Sequence, residues 1–119
     1  MTEPTTQTLT VPGAVLTYDV REPAVAGSLA PPLLLIGSPM GASGFGTLAS
    51  HFTDRTVVTY DPRGAERSTR TDGAARTAVE EHADDLHQLI AVLDRGPVDI
   101  FASSGGAVNG LALVARHPR

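Results

Sequence analysis

The chain contains no cysteine, which excludes a disulfide scaffold and a thiol nucleophile. It also lacks any cluster of positive charge. Nine basic against thirteen acidic residues give a net charge of −4, and nothing in that distribution would track a phosphate backbone. Nucleic acid is therefore not an expected partner. No apolar run approaches the roughly 20 residues that a bilayer-spanning helix requires; the run Leu33 to Ile36 is cut off by Gly37. The opening Met1-Thr2-Glu3-Pro4 has neither the positive start nor the apolar core of a secretory signal. A soluble, cytoplasmic protein with no membrane partner is the expectation. What is present, 41% hydrophobic and 18% charged residues in 119, suits one small folded domain.

The local patterns alternate between strand and helix. Leu9 to Val11 and Val15 to Val20 flank Pro12-Gly13, a pair with turn chemistry, and predict a hairpin after a loose polar stretch at residues 1–7. Leu33 to Ile36 reads as a central strand buried on both faces. A short helical piece follows near Thr47 to His51, and Thr56 to Tyr60 reads as another strand, ended by Asp61-Pro62-Arg63-Gly64. A long helix is expected from about Ala78 to Leu93. Thr77 and Glu80 have capping-box spacing, Val79, Ala83, Leu86, Leu89 or Ile90, and Leu93 lie on the inner face, and Glu81, Asp84, Asp85 and Gln88 lie on the outer one. Strand Val98 to Ala102 and a helix from Gly105 to about Ala115 complete the order. Buried strands alternating with amphipathic helices predict an α/β sandwich with at least three parallel strands.

The stretch from Val98 to Val108 carries the chemistry. An apolar strand meets the corner Ala102-Ser103-Ser104-Gly105-Gly106 and then a helix, the setting in which G-x-S-x-G lifts a serine onto a sharp turn. Here alanine stands at the first glycine position, and Ser104 is the central serine. The N–H of Gly105 would be one donor to a developing oxyanion, and Gly106 leaves room for a neighbouring strand. A turn with Ser103 or Ser104 as a plain helix N-cap fits the same residues. The segment Gly37-Ser38-Pro39-Met40-Gly41 lies at the C-terminal end of a central strand, where open α/β sheets place ligands. Ser38 N–H is the candidate second donor and Met40 a lining group, while an ordinary strand-to-helix turn remains the alternative. Phosphate-loop and dinucleotide fingerprints are missing.

Taken together, Leu33 to Gly41, Tyr60-Asp61-Pro62-Arg63-Gly64 with Ser68 close behind, and Ala102 to Gly106 resemble the α/β-hydrolase superfamily, closest to its small serine hydrolases. The resemblance runs from about residue 8 to residue 119 and covers only the N-terminal half of that fold. It implies a three-layer αβα sandwich with a mostly parallel sheet. It further implies Ser104 as nucleophile, Ser38 and Gly105 as oxyanion-hole donors, Arg63 as a structural brace, no cofactor and a small-molecule acyl substrate. Where the family commonly has His-Gly, this chain has Ile36-Gly37. The family's acid and histidine fall past residue 119, so no residue here inherits those roles.

The remaining polar candidates are read as structural. His51, His82, His87 and His117 are expected at helix ends or margins, Asp84 and Asp85 on a solvated helix face, and Asp61 in a turn. No metal-ligand spacing is present. Strand Val98 to Ala102 and the helix residues Val108, Leu111, Ala112 and Ala115 are expected to need a partner, either a complementary C-terminal chain or another copy. A non-catalytic remnant or interaction module of the same fold is the alternative function.

Overall fold

Pro12 and Gly13 turn the chain between two strands so tightly that Val11 and Ala14 lie opposite each other. Gly13 sits at φ +80°, a conformation open to glycine at little cost, and the proline ring fixes the residue before it. The computed structural model describes residues 4–23, 30–37, 41–72 and 78–117. The turn joins β1 (Thr5–Val11) to β2 (Ala14–Arg21). β1 begins well before Leu9, so Thr5, Thr6 and Gln7 of the expected loose stretch are paired. Two side chains hold this part: Thr6 Oγ1 donates to Asp19 at 2.6 Å and Tyr18 Oη to Gln7 at 2.8 Å. β-Branched threonine suits an edge strand despite its polarity, and that preference outweighs the polar composition.

The next elements are β3 (Leu33–Ile36) and a 3₁₀ turn (Ala42–Phe45) running into α1 (Gly46–Ser50). β4 (Val57–Tyr60) and β5 (Thr69–Arg70) precede α2 (Val79–Leu93), β6 (Asp99–Ala102) and α3 (Gly105–Arg116). The sheet order is β1-β2-β4-β3-β6, with β5 on β2. β4, β3 and β6 are parallel, while the hairpin strands and β5 are antiparallel. The sheet is thus mixed, and its parallel half is the one that carries the serine corner. β5, only two residues long, gives no periodicity from which a sequence reading could find it.

β3 is the centre of both cores. Leu34 and Ile36 pack with Val58, Tyr60, Ala83, Leu86, Leu89 and Leu113 on the α2/α3 side. Leu33 and Leu35 pack with Val57, Phe45 and Ala49 on the α1 side. Alternate residues of one strand thereby serve opposite layers, and the three-layer arrangement follows.

α2 differs from its expected cap and outer face. Its N-cap is Ala78, whose N–H donates to Glu81 Oε1 at 2.9 Å; Thr77 lies outside the described residues. Val79 is partly exposed rather than inward-facing, and Asp85 is buried rather than solvated. Among the described residues no helix is long and apolar enough to cross a membrane.

Candidate functional site

The corner after β6 is strapped to the end of β3. Ser103 N–H donates to Ile36 O at 2.9 Å, which carries the strand-pairing pattern one residue past Ala102. The chain then reverses at Ser104, with φ 56° and ψ −127°. A serine in that region costs on the order of 1–3 kcal/mol and is held only by surrounding structure. The restraint here is visible. Gly106 and Ala107 donate their N–H groups back to Ser103 O and Ser104 O at 2.9 and 3.0 Å, and α3 starts at once.

Gly106 permits this closeness. A Cβ there would lie 2.4 Å from Ile36 O and 2.9 Å from Gly37 Cα. The alanine at the first motif position faces Gly110 without crowding, since even a Cβ at Gly110 would stand 3.6 Å from the Ala102 methyl. Ser104 is exposed. It occupies the N-cap position of α3 yet makes no side-chain capping bond, so its hydroxyl is not committed to the helix. Gly105, as the first helical residue, has an N–H with no acceptor inside the helix, at the positive end of the helix dipole.

The end of β3, from which the chain leads on to Gly41, meets the same corner. Gly37 is buried against Gly106. Ser38 and Met40, the expected second donor and lining group, lie outside the described residues. The loop's far end is fixed by Asp61, which is fully buried. Its Oδ1 accepts from Ala42 N–H at 2.8 Å, and its Oδ2 accepts from Arg67 N and Nε at 3.1 and 2.7 Å. Asp61 is a tether between β4 and the segment after Gly41, a role that the turn reading left unspecified.

Arg63, buried at the exit of β4, makes bonds in several directions. Its Nε and Nη2 donate to the two oxygens of Asp85 at 2.8 and 2.7 Å, Nη2 also donates to Pro12 O at 2.7 Å, and Nη1 reaches Glu81 at 3.3 Å. Hairpin turn, β4 exit and α2 are joined through this one guanidinium. Bonding to Asp85 raises its already high pKa. Ser68 completes the region, accepting from Thr17 N–H and donating to Asp61 O. Burial pushes the Tyr60 phenol well above its usual range, as suits its place in the apolar core beside Ile36.

The histidines stand elsewhere. His51 ends α1 and is exposed. His82 lies beside Asp85 and Arg63 on α2, and burial lowers its pKa. His87 stacks on His117 at 3.8 Å between ring centres. His117 lies about 20 Å from Ser104 at the other end of α3, taking 1.5 Å per residue, with Nε2 2.9 Å from Asp84 Oδ1. Asp84 also takes two 3.0 Å bonds from Arg116, which hold its carboxyl below the usual range. It is paired rather than merely solvated. Among the described residues no group of His, Asp or Glu is arranged to hold a metal ion.

One flank of the site is open. β6 pairs with β3 as expected, and no other described strand pairs with it. Phe101 is 49% exposed, Val108 52%, Leu111 75% and Val114 59%. Ala112 packs inward against the core instead of joining that stripe. A cleft of about 680 Å³ lined by His87, Ile90, Val98, Ile100, Leu113 and Val114 lies at the far end of α3.

No family model matches the chain. It is 44% identical over 112 residues to YraK, an uncharacterized hydrolase of Bacillus subtilis, in a match covering 93% of this chain and 40% of that protein. An α/β hydrolase from Novosphingobium aromaticivorans superposes with a TM-score of 0.84 at 22% identity, covering 99% of this chain and 41% of the other. The N-acyl homoserine lactonase AidH, solved with N-hexanoyl homoserine lactone, superposes at 0.78 with 22% identity, covering 96% and 42%. The chain spans about two fifths of the length of these proteins.

Proposed function

We propose that this chain, a member of the α/β-hydrolase superfamily that matches the N-terminal part of the fold, supplies the nucleophile of a serine hydrolase acting on an ester, amide or related acyl bond. The observation that carries the reading is the Ser104 corner: positive φ, exposure, and a hydroxyl left free of capping. Ser104 Oγ attacks the acyl carbon and forms a C–O bond while a base of the complementary part takes its proton, and the carbonyl π electrons move onto oxygen. Gly105 N–H, with Ser38 N–H, stabilises that oxyanion. Collapse of the adduct expels an alcohol or amine that carries away the proton taken from Ser104, and water, giving one proton to the same base and from it to Oγ, then releases the acid. Met40 lines the apolar side of the acyl pocket. The lactonase superposition supports an acyl substrate of small-molecule size.

A serine hydroxyl needs an adjacent base, and the four histidines lie away from Ser104. The proposed enzyme therefore acts only with a complementary C-terminal part that brings acid and histidine, docking along Val98 to Ala102. The chain alone is expected to hydrolyse an activated ester at no more than roughly 10³-fold over water, the residue left by an oxyanion hole and binding. Joining it to the part of YraK beyond the matched segment should restore turnover, and Ser104→Ala should abolish it. Turnover unchanged in the Ala form would refute the nucleophile assignment. The open apolar flank favours a second reading, an interaction module without catalysis. Failure of a folded, joined chain to turn over or to label with a serine-directed phosphonate would select it.

A further inference from the structure

We propose that the cleft over β2 and β4 beside α1 binds a small linear zwitterion, an ω-amino carboxylate, with its carboxylate on Arg21 and its ammonium on Glu66. Strand alternation builds the floor of this cleft. Tyr18, Val20, Val58 and Tyr60 turn to the α2/α3 core, so Asp19, Arg21 and Thr59 face the other layer. There the apolar core ends at Val57 and Ala49. Beyond it lies a cleft of about 390 Å³, lined by Asp19, Arg21 and Thr59 from the sheet, Ser43 and Gly46 from the helical side, and Glu66. β3 stands between it and β6, away from the edge assigned to the C-terminal part.

Two charges in the cleft are unspent. Arg67 and Asp19 hold each other at 2.8 Å, and Arg67 also holds Asp61. Arg21 forms no ion pair with any described residue, and its Nε is buried without an acceptor. An unpaired buried guanidinium N–H is unfavourable, and a carboxylate has the geometry to satisfy it. Glu66 meets the Ser43 hydroxyl at 3.2 and 3.3 Å, and no described cation pairs with it. Its backbone is held at φ 44°, a conformation that persists only where neighbours enforce it. Ala65 N–H donates to Pro62 O and Ser68 N–H to Ala65 O, each at 2.9 Å, and these bonds fix the turn on both sides of Glu66. A Cβ at Gly41 would collide with Glu66 Oε2 and Asp61 Oδ1 alike. Two carboxylates thus crowd one glycine, and Arg67 answers only Asp61.

The pattern of signs selects the ligand. A simple anion on Arg21 would meet the carboxylates of Asp19 and Glu66, and a simple cation at Glu66 would meet Arg21. A molecule carrying both charges satisfies both ends. Arg21 lies opposite Val57, while the Glu66 carboxylate lies against Gly41 beside Asp61. Those levels are about 13 Å apart along β4 at 3.3 Å per residue. The two side chains fill part of that span, and the remainder suits charges several bonds apart, beyond the reach of an α-amino acid.

Isothermal titration calorimetry of the chain, alone and joined to the YraK part, tests the site with 5-aminopentanoate. Saturable binding is expected, with pentanoate, pentylamine and glycine each weaker by about 10-fold or more. Arg21→Gln and Glu66→Gln should each weaken it by a similar factor. Gly46→Leu should fill the cleft and abolish binding without unfolding the chain: Gly46 already has helical angles, and a Cβ there would meet nothing within 4 Å. Far-UV circular dichroism checks that the variants stay folded. Arg95→Gln, whose partner is Glu22, should leave binding intact. Absence of saturable binding, equal binding of glycine or of a singly charged analogue, or binding indifferent to Gly46→Leu would overturn the proposal. The titration reads no hydrolysis and can be run with Ser104→Ala, so its outcome is separate from the role of Ser104.

Discussion

The hairpin side of the sheet and the β6 side are built by different means. Around β2 and β4, buried charges are paired: Arg63 with Asp85, and Asp61 with Arg67 and the Ala42 N–H. Around β6 and α3, contact rests on glycines and on backbone hydrogen bonds, and large apolar side chains face outward. The first side is specified by partners inside this chain. The second is specified only where it touches β3, and its outer surface lacks a counterpart among the described residues. The proposed nucleophile belongs to the second side, at the corner where β6 passes into α3 against the end of β3.

Removing Arg63 should break the closed side most severely. Arg63→Ala leaves the Asp85 carboxylate buried without its partner, at a cost of about 3–5 kcal/mol. Chemical denaturation should show a chain largely unfolded or far less stable. An effect below about 1 kcal/mol would mean that the guanidinium is not the link between hairpin, β4 and α2.

On the open side two glycines of the same helix should respond in opposite directions. Gly106→Ala drives a methyl into the Ile36 carbonyl and should cost about 1–3 kcal/mol. Gly110→Ala makes only an ordinary contact with Ala102 and should gain about 0.5–1 kcal/mol through helix propensity. Equal effects would show that α3 is not seated on β3 as described. Ser104→Gly removes the left-handed strain and should stabilise the chain by about 1 kcal/mol while abolishing the proposed nucleophile.

Acid should produce the smallest change, and on the closed side first. Burial holds the His82 pKa below its ordinary 6.5, so the folded state binds fewer protons there than the unfolded one. Its contribution is complete above pH 6.5 and is lost as pH falls through the depressed folded value. A further loss should follow below about pH 4 as Asp19 protonates. Burial alone would raise its carboxyl, but the bonds from Arg67 and Thr6 keep it below the usual range. Urea midpoints at pH 7 and 5.5 measure the first step and those at pH 4 and 2.5 the second, and His82→Gln should flatten only the first.

These contrasts also explain what could be read from the amino-acid order. β3, β4, α2 and the serine corner announce themselves because their signals are local: a short apolar run, a threefold-to-fourfold spacing, small residues at a turn. The burial of Asp85 was hidden because its partner Arg63 lies far away in sequence, and a carboxylate beside Asp84 looks solvated until that guanidinium is placed. The tether from Asp61 to Ala42 was hidden for the same reason. Thr5 to Gln7 misled through polarity, which says little about an edge strand. The strand-to-helix corner at Ser104 was legible because Gly105 and Gly106 adjoin it, and the need for glycine at 106 became explicit once the Ile36 carbonyl was seen against it.

That contact also sets an order of events in folding. The Ser104 corner is shaped by the end of β3, which pairs with β6 across more than half of the chain's length. Pairings so distant in sequence close late, because loop entropy must be overcome before they contribute. The hairpin, by contrast, can form from neighbours alone. The serine should therefore reach its left-handed conformation only after the hairpin is in place, and Gly106→Ala should act chiefly by speeding unfolding, with little effect on the folding rate.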